Sequence, residues 1–384
     1  MRNGVVLAAM CLATFMAILD TSLVNLGLRA IQADLHARRA TLQWVIDLYN
    51  LAYAVLILTG GTLGDRYGRR RIFVIGVVTF AAGSLVCAVA PDAGVLIAGR
   101  GIAGAGAALE LPAALAILNV TYPDPHARAG AITLWGGMNG LAMAIGPTVG
   151  GLLVDSLGWR SLFYAVLPFA AATLALPAFA LEESRNARDR HLDLPGQVLA
   201  IVALGTLALG FIEGPGWGWR SPPILGCTAA CIASAAAFIA VERRTAAPML
   251  PLSIFRNAAF SAAVADATLM AFGMYELLFL LPLYLQVVRH DSAVRAGVTL
   301  LPMSLTFFLV SPLAGWVATR VGPRVLIGGG FAWMAAAAFC VGLGLGCITG
   351  PIATAAPARS PLLVGGRMSA PPPKDHLTML GYFP

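Results

Sequence analysis

The sequence predicts an all-α integral membrane protein. Three observations carry that prediction. The composition is 59% hydrophobic and only 11% charged, the mean hydropathy is +0.81, and apolar runs recur that can each cross about 30 Å of hydrocarbon at about 1.5 Å per residue. A soluble core cannot hide so large an apolar fraction, so lipid must act as solvent. The runs fall near 5–28, 44–63, 72–90, 95–118, 130–153, 161–181, 194–212, 223–241, 260–288, 296–318 and 325–345.

Taken in order, each connection explains its neighbours. Arg2 before an apolar run mimics a secretory signal, but the run continues through Asp20 and more spans come after it, so a retained first span is expected. Between the second and third runs lies Gly61-Thr-Leu-Gly-Asp-Arg-Tyr-Gly-Arg-Arg-Arg71. Asp65, Arg66 and Arg69 to Arg71 are too polar for hydrocarbon, and Gly61 and Gly68 are expected to supply the positive φ of a tight reversal. The loop at 182–193 is the longest charged linker and divides the first six helices from the rest of the chain. Gly315-Trp-Val-Ala-Thr-Arg-Val-Gly-Pro-Arg324 then repeats the first turn, with Thr319 in place of Asp65. After Gly346 no lipid-compatible run remains: the last stretch holds seven prolines and the chain's single lysine, Lys374, and a disordered tail is expected over 346–384.

Charge orients the whole. With the N-terminus inside, one set of loops carries Arg2, Arg66, Arg69, Arg70, Arg71, Arg128, Arg185, Arg188, Arg190, Arg243, Arg244, Arg256, Arg320 and Arg324. The other carries Arg29, Arg38, Arg39, Arg160, Arg220, Arg289 and Arg295, half as many, so a cytoplasmic N-terminus is expected in the cell (inner) membrane. The net charge of +7 is therefore loop charge, and no basic stripe suggests nucleic acid. Six cysteines sit mostly in apolar runs, without a CxxC pair, and read as small hydrophobes.

The turn at Gly61, Leu63, Asp65, Arg66, Gly68, Arg69 and Arg70 resembles the signature loop of the major facilitator superfamily of secondary transporters, and its second copy matches the parallel repeat of that family's two halves. Because two helices, 194–212 and 223–241, separate the halves, the chain is similar to the fourteen-helix drug/proton antiporters. Leu19-Asp-Thr-Ser-Leu-Val-Asn25, Trp44-Val-Ile-Asp-Leu-Tyr49, Arg100 with Gly104, Gly106 and Ala108, Gly146-Pro-Thr-Val-Gly-Gly151 and Leu283-Tyr-Leu-Gln286 agree. The resemblance covers about residues 5 to 345 and implies a helical bundle at 1–181, a cytoplasmic linker at 182–193, two inserted helices at 194–241 and a partial C-terminal bundle at 242–345. It implies proton-coupled export of small amphipathic or cationic compounds by alternating access. The alternative is a truncated fragment that inserts but does not transport, because a fourteen-helix protein has three more spans.

Ionisable groups within spans are functional candidates by default. Here they are Asp20, Asp47, Arg100, Glu110, Asp266 and Glu276. Asp20 and Asp47, expected near the edge of an aqueous vestibule, match acids of related exporters, and Arg100 matches the family's proton-coupling arginine; Ala103 stands where the family has glutamine. Glu110 and Asp266, with Glu276 and Tyr275, are departures or aromatics assigned with Asn25 to the substrate cavity. Glu110 faces either that cavity or a single partner, the cavity being preferred; Asp266 and Glu276 recognise cations or lie at the rim. Phe272, Tyr275 and Phe279 line the cavity, where a cation would meet their faces, or face lipid. Gly146, Pro147, Gly150 and Gly151 match the antiporter motif that seals one end of the pathway, against the plainer reading of small-residue packing. Gly99-Arg-Gly-Ile-Ala-Gly104 spells a dinucleotide fingerprint but follows no strand. With no phosphate loop or paired metal ligands, no cofactor, no metal and no enzymatic activity are expected; the partners are a small-molecule substrate, protons and the bilayer, and the chain is expected to be a monomer.

Overall fold

Lipid offers backbone N–H and C=O groups no partner, so each apolar run must close its hydrogen bonds within itself as a helix. A computed structural model describes residues 2–176, 183–184, 193–245, 250 and 252–303, with isolated positions at 305, 306, 310 and 329. The chain divides into two compact units, Met1–Leu313 and Ala314–Pro384, and the helices all belong to the first. They are α1 (Arg2–Leu35), α2 (Arg39–Tyr67), α3 (Arg69–Ala88), α4 (Ala93–Thr121), α5 (Pro125–Leu157), α6 (Arg160–Ala175), α7 (Leu194–Trp217), α8 (Pro222–Arg244) and α9 (Ala258–Val287). A short 3-10 helix, Leu252–Arg256, precedes α9, and α10 (Ala293–Met303) succeeds it.

Seven of these helices are long and apolar enough to cross a membrane. The first ten predicted runs all meet a helix. The eleventh, 325–345, and the second turn, 315–324, lie outside the described residues, as does the tail at 346–384. Most helices overrun their apolar runs, because polar ends such as Gln32 to Leu35 continue the backbone ladder into water; α1 is 34 residues long. Helix starts are capped by carboxylates. Asp92 accepts from Val95 N at 2.9 Å, Asp124 from Ala127 N at 2.8 Å and Asp193 from Gly196 N at 2.9 Å, each satisfying a free N–H of α4, α5 or α7.

The interior gathers α1 to α6. Its central cluster runs from Met10, Met16 and Leu23 of α1 through Phe73 and Phe80 of α3 to Leu118 of α4 and Val166 of α6. The tightest seam joins α3 and α4. A Cβ built on Gly76 would lie 2.6 Å from Glu110 N, and one on Gly83 would lie 2.8 Å from Ala103 Cα, so the two backbones touch where side chains would hold them apart. Gly106 completes the seam against Phe80.

The α7–α8 pair docks on α2. Gln197 Nε2 donates to Val55 O at 2.7 Å, Thr59 donates to Gln197 Oε1, and Trp44 Nε1 donates to Glu213 Oε1 at 3.1 Å. The two inserted helices thus rest on the first bundle through polar contacts along one helix.

Contrary to the sequence expectation, Gly61 does not bend the chain. Helix α2 continues through it to Tyr67, and Gly68 alone of the two glycines has positive φ, at 112°. Gly61 instead faces Pro112 of α4, whose ring carbon would lie 3.8 Å from an added Cβ.

Candidate functional site

At the centre of the bundle, Arg100 of α4 and Asp20 of α1 form an ion pair, Nη1 to Oδ2 at 2.5 Å, and each side chain is 1% exposed. Arg100 stands two turns into α4, where the seam glycines leave room for a long side chain to turn towards α1 and α2. Its Nε donates to Val45 O of α2 at 3.0 Å. The ring of Tyr49, one turn further along α2, covers the guanidinium at 4.3 Å, a cation–π contact strengthened where water is excluded. Tyr49 donates in turn to Ala17 O of α1 at 3.4 Å and meets Phe80 of α3 edge to face. Three helices therefore hold one guanidinium.

This arrangement revises the expected setting of Asp20. It is not at a vestibule edge but enclosed, because Arg100 supplies the countercharge that lets a carboxylate leave water. Its second oxygen, Oδ1, has no hydrogen-bond partner among the described residues. Asp47, two residues before Tyr49 on α2, is half-buried. Ala103 is buried in the seam, and Arg100 takes its partners from α1 and α2 instead of from a neighbouring glutamine.

The antiporter string lies against α1 on one side and α10 on the other. A Cβ on Gly146 would strike Ser22, one on Gly150 would reach Leu23, and one on Gly151 would lie 2.7 Å from the Ala293 carbonyl carbon. Gly297 of α10 faces Pro147 in return. Asp155 Oδ2 accepts from Val294 N at 3.0 Å and so caps α10 from another helix. Arg29 donates to Gln286 O, and Gln286 Nε2 donates to Leu26 O at 3.4 Å, tying α1 to the end of α9. The end of the bundle away from the Gly68 turn is thereby sealed. Asn25, expected in a cavity from the sequence, is enclosed at this level, with Oδ1 unpartnered among the described residues.

At the opposite end, Asp65 accepts from Arg69 Nη2 at 2.8 Å and Nε at 3.2 Å. Arg69 also reaches Ala116 O of α4 at 3.5 Å. The start of α3 is met by the linker: Arg69 N donates to Ser184 O and Arg70 N to Glu183 Oε1. The Glu183 carboxylate lies 2.5 Å from where a Gly68 Cβ would stand, so glycine is needed there for space as well as for φ. Arg66 lies over the Tyr67 ring at 5.3 Å.

Glu110 does not open on a cavity. It is fully enclosed between α4 and the glycine face of α3, and neither carboxyl oxygen has a hydrogen-bond partner among the described residues. Asp266, Tyr275 and Glu276 lie on α9, but their side chains fall outside the described residues, as do those of Phe272 and Phe279. Sequence reasoning missed Tyr49 as a cover for Arg100, Gln286 and Asp155 as latches, and Gln197 and Glu213 as docking groups. Gln197, Glu213 and Asp155 carry a usable signal as polar residues in or beside long apolar runs.

The architecture is that of a polytopic membrane transporter. It superposes on the crystal structure of peptide transporter POT in complex with sulfate with a TM-score of 0.58 over 83% of this chain and 69% of that one, at 16% identity. The chain belongs to the Major Facilitator Superfamily, whose profile matches residues 10–370. That match runs past residue 345, where the resemblance read from the spans stops. Among curated relatives, the multidrug resistance protein Stp of Mycobacterium tuberculosis is 38% identical over 95% of this chain and 72% of its own length. The tetracenomycin C resistance and export protein of Streptomyces glaucescens is 37% identical over 83% of this chain and 59% of its own length.

Proposed function

We propose that this chain exports small amphipathic, often cationic, compounds of antibiotic type by alternating access, as a drug/proton antiporter of the fourteen-helix class. The N-terminus is cytoplasmic in this reading, so the sealed end is external and the Gly68 turn is the cytoplasmic gate. The relatives' resistance and export names support the substrate class. The observation that carries the mechanism is the enclosed Asp20–Arg100 pair.

Asp20 is held by one oxygen and open at the other. A proton arriving at Oδ1 would cancel the carboxylate charge and weaken its hold on Arg100, leaving the guanidinium to Val45 O and the Tyr49 ring. An uncompensated guanidinium is costly in hydrocarbon, so protonation favours the arrangement in which α1 and α4 separate and water reaches the pair. Asp20 is within one turn of Ser22 and Leu23, on which Gly146 and Gly150 rest, so the same displacement loosens the external seal. Arg100 and Asp20 act in proton coupling, Asp47 serves as a half-buried acceptor beside them, and Gly146, Pro147, Gly150 and Gly151 seal the far end. Gly61, Asp65, Arg66, Gly68, Arg69 and Arg70 form the near gate.

The test is ethidium efflux from cells lacking their own pumps and expressing residues 1–384. Efflux that stops when a protonophore discharges the gradient is expected. Retention of ethidium equal to that of empty-vector cells overturns the reading.

A further inference from the structure

The geometry points to Glu110 as a second proton-binding site of this chain, occupied while the α3–α4 seam is packed and emptied when water enters that seam. Its role in a transport cycle rests on the export reading above; its proton occupancy does not. Three observations converge on it. The side chain is 0% exposed. Both carboxyl oxygens lack hydrogen-bond partners among the described residues. Its backbone sits directly on Gly76 of α3, with a hypothetical Gly76 Cβ only 2.9 Å from Glu110 Cβ.

Asp20 provides the contrast. It is equally buried but carries a guanidinium on one oxygen. Glu110 has no such countercharge, and a carboxylate enclosed without any partner is far less tolerable than a neutral carboxyl group in the same place. The elements around α4 bring no cation to it. On α3, no charged residue comes after Arg71 before the helix ends. On α1 the charged neighbour is Asp20, already paired, and Cys11 is a buried thiol. On α2 the titratable groups are Tyr49, within electrostatic reach of Glu110, and Tyr53 one turn on. On α5 no charged residue lies between Arg128 and Asp155. Arg100 is ten residues away on α4 itself, about 15 Å along the axis, and Arg69 reaches Ala116 O rather than Glu110.

Position gives the site its use. Glu110 stands between the Asp20–Arg100 pair and the Gly68 turn, level with Gly76, where α3 and α4 touch backbone to backbone. Parting of that seam admits water to the carboxyl group; its O–H bond breaks, the proton passes to a water molecule, and a hydrated carboxylate remains. Closing the seam requires the reverse.

The experiment is infrared spectroscopy of the substrate-free chain in lipid vesicles, read at the C=O stretch of protonated carboxyl groups. At neutral pH the wild type is expected to show a band that is absent in Glu110→Gln and in Glu110→Leu and retained in Asp20→Asn. On transfer to D2O the band shifts slowly in the wild type, because the group is enclosed. A wild-type spectrum without the band, or the same band in both Glu110 variants, overturns the proposal. A shift complete within the mixing time overturns enclosure by the seam. A chain that exports nothing still gives this readout, so failure of the export reading and failure of this one are told apart.

Discussion

Helices α4 and α8 are both apolar enough to cross a membrane, yet over their most apolar stretches 56% of α4 is buried within the protein and only 11% of α8. The difference is not hydrophobicity. α4 carries Gly99, Gly106 and Arg100, which demand a protein neighbour: the glycines because they admit a touching backbone, the arginine because lipid offers it no countercharge. α8 carries exposed Leu225 and Ile232, and its charges, Glu242, Arg243 and Arg244, gather at its end. Lipid is as good a solvent as protein for such a helix. The comparison teaches that in this chain function tracks polar and small residues inside spans.

The sharpest way to break the comparison is to empty the α4 site. Arg100→Ala leaves Asp20 buried without a partner and should cost about 3–5 kcal/mol, the range for breaking a buried pair from one side. Thermal unfolding in detergent should show it as a large fall in midpoint, and an unchanged midpoint would mean the pair is solvated. Next comes Gly106→Leu. A side chain there meets the Phe80 backbone, with Cα 2.7 Å from the new Cβ, and overpacking of this kind costs about 1–3 kcal/mol. Parting of α3 from α4 would appear as faster labelling of Cys87, which is buried beside Gly99; wild-type labelling would count against a tight seam.

Much of this is legible in the sequence, and the limits are instructive. Asp20 and Arg100 stand out singly because any charge inside a span does. Their pairing does not, because α1 and α4 are far apart in sequence and one chain gives no register between them. Tyr49 reads as an ordinary span aromatic, since only the neighbouring helix shows which face of its ring is used. Gly61 reads as a turn residue because glycine serves both reversal and close contact; the continuation of α2 to Tyr67 decides for contact. Glu110 suggests a cavity because acids in spans usually need water, whereas Gly76 makes a dry niche for it.

Smaller effects sharpen the same contrast. Asp65→Ala removes a helix-end pair with Arg69 worth about 0.3–0.5 kcal/mol. Stability should barely change, while engineered cysteines near the turn become more reactive from the cytoplasmic side; equal reactivity would mean Asp65 is no latch. Ile232→Ala on α8, at a side chain 66% exposed, should shift unfolding by no more than about 0.5 kcal/mol. A loss several times larger would show that α8 packs on protein where the structure leaves it bare.

The central claim is that the Asp20–Arg100 pair couples protons to export. Its most direct test is ethidium movement in proteoliposomes under an imposed pH gradient, comparing wild type with Asp20→Asn, which keeps the shape of the side chain and removes its charge. The account predicts gradient-driven accumulation in the wild type and, in Asp20→Asn, ethidium that equilibrates across the membrane without accumulating. Accumulation by Asp20→Asn equal to that of the wild type would contradict it.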